Sequence, residues 1–271
     1  KRIQDQKKIR QLNQKLEWVL ESSHIGTWDW DVEENKVHFD EQWAKMLGYS
    51  VEELSGTLED WESKVHPNDL KYVKKILQLH LEGKTKEYST VHRMKSKNGE
   101  WKWILDSGKV VQRDKEGNPL RAIGTHQDVT KTVIAKRQLE RTTNLLKKVF
   151  ESSPYSIFTT DLDLRIVDFN PEAMKVFEAS KEEELLGKSA LEFIDKHQRK
   201  RAIKNTELTR EKGVVKRVEY NISTLKGNKR VIELSASLLK DRDEQIIGFV
   251  GISLDVTRTK RIKKAMQHKT I

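Results

Sequence analysis

A long-range internal repeat constrains this 271-residue chain more than any other feature. Gly124-Thr125-His126-Gln127-Asp128-Val129-Thr130-Lys131 returns as Gly251-Ile252-Ser253-Leu254-Asp255-Val256-Thr257-Arg258. Upstream, Val19-Leu20-Glu21-Ser22-Ser23 returns as Val149-Phe150-Glu151-Ser152-Ser153, and Ser50-Val51-Glu52-Glu53 as Ser180-Lys181-Glu182-Glu183. Offsets of 127 to 130 residues, held over half the chain, mean a duplicated unit and not a chance motif. Each copy closes on an apolar, strand-like run (120–124; 246–252) that meets Asp-Val-Thr, and a charged helical segment follows. Asp and Thr favour helix starts, because their side-chain oxygens accept from the free N–H groups of a first turn. The stretch therefore reads as the last strand of a domain wired directly to an outgoing helix.

The periodicities give the same order of elements twice. In the first half, 26–32 and 36–39 alternate as strands, 40–47 is helical, and the capping box at 50–53 opens another helix. His66-Pro67-Asn68-Asp69 starts a longer helix with Leu70, Val73, Ile76, Leu77 and Leu81 on one face and Gly83 as its stop. Strands at 88–95, 101–111 and 120–128 then form a meander, with Asn98-Gly99 as a hairpin turn. In the second half the strands fall at 156–160 and 165–169, the helices at 171–177 and 196–212, and the closing strands at 214–225, 229–239 and 245–255. This order predicts an α+β fold: two domains, each a five-stranded antiparallel sheet with helices on one face, joined by amphipathic helices. Ile9, Leu12, Leu16 and Val19 are spaced three, four and three apart, and Leu139, Thr142, Leu146 and Val149 repeat that spacing, as in the seam of a coiled coil. The expected segments are an N-terminal helix (1–20), a first domain (21–130), a linker helix (131–150), a second domain (151–257) and the start of an output helix (258–271).

Composition narrows the function classes. The formal net charge is +10, but 42 acidic residues are interleaved with 52 basic ones. No basic stripe carries aromatics at regular intervals, so a nucleic-acid partner is not expected. The absence of cysteine excludes disulfides, thiolate metal sites, thiol catalysis and cofactors attached through sulfur. No apolar run approaches the roughly 18 residues of a membrane span. The chain opens at Lys1 in mid-helix pattern, as expected of a cytoplasmic piece of a longer protein.

In the first half, Gly26-Thr27-Trp28-Asp29-Trp30, Met46-Leu47-Gly48-Tyr49-Ser50, His66-Pro67-Asn68-Asp69, Lys97-Asn98-Gly99-Glu100 and the Gly124…Asp128-Val129-Thr130 ending together resemble the PAS domain family. In the second half, Ser152-Ser153-Pro154, Asp168-Phe169-Asn170, Leu186-Gly187-Lys188 and Gly251…Asp255-Val256-Thr257 resemble its more generic form. The resemblance implies sensory and dimerisation modules of a signalling protein, in which Asp128 and Thr130, and again Asp255 and Thr257, couple the sheet to the outgoing helix.

No catalytic constellation is present: no phosphate-cradling Gly-rich loop, no Gly-x-Ser-x-Gly elbow, no His-Glu-x-x-His and no metal-ligand spacing. The candidates are pocket residues. In the first unit they are Trp28, Trp43, Val73, Ile76, His80, Trp103 and His126; in the second, Phe158, Phe169, Phe177, Ile203, Leu234 and Ser253. His126 falls where flavin-binding relatives carry a pocket glutamine, and strand alternation puts it on one face with Gly124. A core or rim histidine satisfied by a neighbour fits the same position. His80 and His197 lie in the long-helix regions where haem-binding relatives place an axial ligand, though His197 sits in a very polar helix start. The tryptophans of the first unit suit either an aromatic ligand or simple packing. No cofactor is required; non-covalent flavin, haem or a small metabolite all remain open. The preferred reading is the sensory, relay and dimerisation segment of a cytoplasmic sensor histidine kinase, a homodimer through its helices with an output domain downstream. The alternatives are a ligand-free dimerisation scaffold, or the input region of a diguanylate cyclase or phosphodiesterase.

Overall fold

The computed structural model describes residues 2–267, apart from the side chains of Arg2, Ile3, Asp5, Glu17 and Glu21. The outermost parts of the two expected end helices, Lys1 and residues 268–271, lie outside the described residues. The chain forms two compact units, the first running through Glu140 and the second beginning at Arg141.

Unit 1 opens with helix α1 (Arg2–Ser22), strands β1 (Ile25–Asp31) and β2 (Lys36–Phe39), and helices α2 (Glu41–Leu47), α3 (Leu58–Lys64) and α4 (Pro67–Leu81). Strands β3 (Tyr88–Lys95), β4 (Trp101–Arg113) and β5 (Pro119–Asp128) complete it, and α5 (Thr130–Ser152) leaves it. The sheet order is β2-β1-β5-β4-β3, every pair antiparallel. Inward residues alternate along the strands: Trp28 and Trp30 on β1, Tyr88 to Met94 on β3, Ile104 and Asp106 on β4, Ala122 and His126 on β5. The helices cover that face with Trp43, Leu47, Trp61, Val73 and Leu77, giving one continuous core. The helix starts follow from their caps. Asp40 accepts from the Trp43 N–H (2.7 Å), and His66 Nδ1 from the Asn68 N–H (3.1 Å) ahead of Pro67 at the first helical position.

Unit 2 repeats this with β6 (Ser156–Thr160), β7 (Ile166–Phe169), α6 (Pro171–Phe177), α7 (Ala190–Phe193), α8 (Arg199–Lys212), β8 (Val214–Ser223), β9 (Lys229–Lys240), β10 (Ile246–Asp255) and the outgoing α9 (Thr257–Gln267). Its sheet order, β7-β6-β10-β9-β8, is that of unit 1. The expected α+β architecture is therefore present twice, with a helix joining the units.

Local differences have physical causes. The helix expected at 50–53 is a single 3-10 turn, Val51–Glu53, because Leu54 turns extended and packs on the core. Its box does form, with the Ser50 N–H on the Glu53 carboxylate at 2.9 Å. In unit 2 the box closes one residue later than expected: Ser180 and Lys181 donate to Glu184, not Glu183. Sequence reasoning missed α3, which is capped by Thr57 and buries Trp61. The helix expected at 196–212 starts as a 3-10 turn, Lys196–Gln198, before α8.

Candidate functional site

The interior of unit 1 carries a buried polar chain. Asp106, 2% exposed, accepts from Trp28 Nε1 (3.0 Å) and His126 Nε2 (3.0 Å) on one oxygen and from the Tyr88 hydroxyl (3.0 Å) on the other. The chain continues from Tyr88 to the Thr90 hydroxyl (3.1 Å) and on to His92 Nδ1 (3.0 Å). Strand register builds it, since Asp106 lies opposite His126 on one side and Thr90 on the other. Burial pushes His92 down to about 4, partly offset by the Asp106 charge, so the ring is neutral near pH 7. Burial and the Asp106 charge together push the Tyr88 hydroxyl far up, which keeps it a donor. Beside the chain, Trp30 Nε1, Trp61 Nε1, His92 Nε2 and His126 Nδ1 are buried without a protein partner. The remaining cavity, lined by Trp28, Trp30, Trp61, Tyr88, Asp106 and His126 among others, has a volume of ≈ 30 Å³. That is room for one or two molecules the size of water. Glycine makes the packing possible: a Cβ on Gly124 would stand 2.3 Å from the Trp28 ring and 2.2 Å from the Ser107 carbonyl oxygen.

The interior of unit 2 contains no such chain. Its cavity of ≈ 70 Å³ is lined mainly by Phe158, Ala202, Leu234, Ala236 and Phe249, with Asn205 and Tyr220 as the polar pair.

The two joints are congruent. In the first, the Thr130 N–H donates to Asp128 (2.9 Å), and Thr130 Oγ1 accepts from the Trp103 N–H (2.9 Å). In the second, the Thr257 N–H donates to Asp255 (2.9 Å), and Thr257 Oγ1 accepts from the Val231 N–H (2.9 Å). Each aspartate also holds a cation that reaches back to the helix after the second strand. Lys102 spans from Asp128 (3.2 Å) to the Met46 carbonyl of α2 (2.7 Å). Arg230 spans from Asp255 (3.2 Å) to Glu178 at the end of α6 (2.9 Å). Burial works against the charge on Asp128, but the bonds from Thr130 and Lys102 hold its carboxyl below the usual range. Thr224, Asn228 and Arg230 hold Glu178 down to about 2. Each joint thus ties together the closing strand, its neighbour, the outgoing helix and a core-covering helix.

Of the sequence-nominated residues, Trp28 and His126 line the first cavity, and Phe158 and Leu234 the second. Trp43, Val73 and Phe177 are buried in the cores, Ile76 and Phe169 pack on their margins, and Ser253 is buried with its hydroxyl unpartnered. Trp103 is corrected: it shares the outer face of β4 with Leu105, while Ile104 and Asp106 point in, and its ring lies under the Arg137 guanidinium (4.3 Å). Ile203 is also corrected. The inward stripe of α8 is Ala202, Asn205, Thr206 and Thr209, which leaves Ile203 45% exposed. Sequence reasoning overlooked Tyr88, Thr90, His92 and Asp106. The available signal was their parity, since they alternate in phase with Met94 and Ile104.

The two helix histidines do not fit a haem iron. His80 accepts from the Val110 N–H at Nε2 (3.0 Å), and its Nδ1 is taken by Thr85 (3.1 Å), so neither nitrogen is free for iron. His197 is exposed. Flavin does not fit the first cavity either, because Trp28, Trp30 and Trp61 fill the space a ring system would need. Among the described residues no three His, Asp or Glu side chains cluster as metal ligands, and no helix is long and apolar enough to cross a membrane.

The PAS fold family matches residues 36–126 and, a second time, residues 144–256. The chain belongs to the PAS family, in tandem. Among curated proteins, it is similar to the two-component sensor PprA of Pseudomonas aeruginosa, 29% identical over 136 residues, which cover 48% of this chain and 14% of that protein. It is also similar to the probable diguanylate cyclase DgcE of Escherichia coli, 22% identical over 223 residues, which cover 82% of this chain and 20% of that protein. The chain therefore spans a minor part of both relatives. Among solved structures, a sensory box histidine kinase/response regulator from Burkholderia thailandensis is 24% identical, with a TM-score of 0.45, over 49% of this chain and 98% of that one. The two PAS units are sensory domains of the kind found in signalling proteins.

Proposed function

We propose that the tandem PAS chain is the input and relay region of a cytoplasmic sensor histidine kinase. The observation that carries this reading is the congruence of the two joints, each binding a sheet, a core-covering helix and an outgoing helix through Asp-x-Thr and one cation. A change in the interior of either unit that moves β4 or β9 has to break or re-aim those bonds, and with them the helix start. The chain is expected to work as a homodimer through its helices. Ile9, Leu12, Leu16 and Val19 on α1 are each 55–61% exposed in the single chain, and Leu139, Leu146 and Val149 on α5 58–68%. Similarity to a named diguanylate cyclase favours one second reading, a cyclase input region. The test uses the full-length parent carrying Asp128→Ala or Asp255→Ala, assayed for histidine autophosphorylation and for cyclic di-GMP synthesis. Each substitution should change the output several-fold with the fold intact by circular dichroism. Autophosphorylation supports the kinase, dinucleotide synthesis the cyclase, and unchanged output from both variants refutes the relay.

A further inference from the structure

The two interiors differ position by position, although their sheets share one register. His126 lies opposite Asp106, and Thr90 opposite Asp106 on the far side. In unit 2 the matching places hold Ser253 opposite Leu234, and Val218 opposite Leu234. Tyr88 opposite Gly108 becomes Val215 opposite Ala236, and Trp28 opposite Gly124 becomes Phe158 opposite Gly251. Leucine stands in place of the acid, its donors Trp28, Tyr88 and His126 give way to the smaller Phe158, Val215 and Ser253, and the cavity is more than twice that of unit 1.

Two backbone devices shape its wall. Simple alternation back from the inward Tyr220 and Val218 would turn Lys216 into the interior. A bulge between Val215 and Val218 prevents this, keeping Lys216 and Arg217 exposed and making Val215 a wall residue. Arg217 takes a left-handed φ of 55° there, and its N–H is held by Ser235 Oγ (3.1 Å). Leu164, itself in the wall, is a branched residue at φ 61°, a strained conformation of the kind that clusters at ligand sites.

No charged side chain lines this cavity, so an ionised ligand would lose its hydration without compensation. The Thr206 and Thr209 hydroxyls donate to the Ala202 (3.1 Å) and Asn205 (2.8 Å) carbonyls of their own helix. Asn205 Nδ2 donates to the Tyr220 oxygen (2.7 Å), which leaves the Tyr220 proton and the Asn205 side-chain carbonyl for a guest. We propose that unit 2 binds a compact, uncharged molecule with an apolar body and one hydroxyl or carbonyl end, held by the Asn205–Tyr220 pair. This rests on the sensory reading of the PAS units and gives the second one its ligand class. An apolar cavity of about 150 Å³ takes a benzene ring, so ≈ 70 Å³ suits a much smaller guest, an alkanol of one or two carbons.

The test titrates the whole 271-residue chain with ethanol and, separately, with sodium acetate, following backbone amide shifts by NMR. Ethanol should give saturating shifts at Leu234, Ala236 and Gly251, while acetate gives none. Tyr220→Phe should weaken ethanol about three- to tenfold, the loss of one hydrogen bond. Ala236→Leu, which fills the cavity, should abolish the shifts; Ala202→Leu fills it from the helix side and serves if that variant does not fold. Non-saturating shifts, undiminished binding in the filled variant, or acetate binding as well as ethanol would each overturn the proposal. None of these outcomes touches the joint reading, whose test is output from Asp128 and Asp255 variants.

Discussion

Replacing Asp106 with leucine, the residue at the matching place in unit 2, removes the acceptor at the centre of the unit 1 chain. Two buried donors, Trp28 Nε1 and His126 Nε2, lose their partner at once, while the Tyr88 hydroxyl falls back on Thr90. Each orphaned donor costs about 1–3 kcal/mol, or about 2–6 kcal/mol for the two. Relief of the carboxylate's desolvation returns a few kcal/mol, and fitting leucine, larger than aspartate, costs about 1–3 kcal/mol in overpacking. A net loss of about 2–4 kcal/mol is expected. Asp106→Asn should cost only about 1 kcal/mol, because its carbonyl still accepts from Trp28 and His126 and the tyrosine oxygen can accept from the new amide. The chain carries a built-in reporter, since all seven tryptophans, Trp18 to Trp103, lie in unit 1. Urea unfolding followed by tryptophan fluorescence therefore reads unit 1 alone. With a slope of about 2 kcal/mol per molar, the leucine variant's midpoint should fall by about 1–2 M and the asparagine variant's by about 0.5 M. A leucine variant as stable as wild type, or no less stable than the asparagine one, would refute the claim that this chain organises the unit 1 core.

The pH dependence of unit 1 has a defined sign. The folded His92 sits at about 4 against an ordinary 6.5, so the unfolded chain takes up the proton first. Stability should be fully present above about pH 6.5 and decline as pH falls toward 4, by about 3 kcal/mol in total, with buried His80 contributing in the same direction. His92→Phe should flatten that decline in fluorescence-monitored unfolding, and an equally steep profile would count against it. Gly124→Ala should cost about 2–3 kcal/mol, because the new methyl meets Trp28 and a backbone carbonyl at once; an unshifted urea midpoint would show the ring can move aside. Thr130→Val should cost unit 1 about 1–2 kcal/mol by orphaning the Trp103 N–H, and hydrogen exchange at that amide should quicken; unchanged exchange would place its partner elsewhere.

The architecture was legible because period-2 alternation and turn residues were repeated at a fixed offset, so each copy checked the other. The joints were legible for the same reason, with Asp and Thr at a strand end repeated in both halves. The interior was less so. His126 was found by counting from Asp128, but Asp106 and His92 are unremarkable polar residues until β4 is registered against both β3 and β5. Trp103 misled because hydrophobicity alone does not say which face of a strand a residue takes, and its outward ring is stabilised by Arg137 instead of a core. Ile203 misled because the inward stripe of α8 is made of Ala202, Asn205, Thr206 and Thr209, small and polar residues that form a cavity wall. The bulge at Lys216 and Arg217 has no signature short of the pairing itself.

If the Asp128-Val129-Thr130 joint relays by turning α5, the rotational phase of that helix sets the output. Seven residues deleted between Lys131 and Leu145 turn the distal helix by about 700°, within about 20° of its original phase, whereas two residues turn it by about 200°, onto the opposite face. Output from the full-length parent is the measurement. The relay account expects the seven-residue deletion to keep near-normal output and the two-residue deletion to lock or invert it. Equal output from both deletions and the wild type would contradict it.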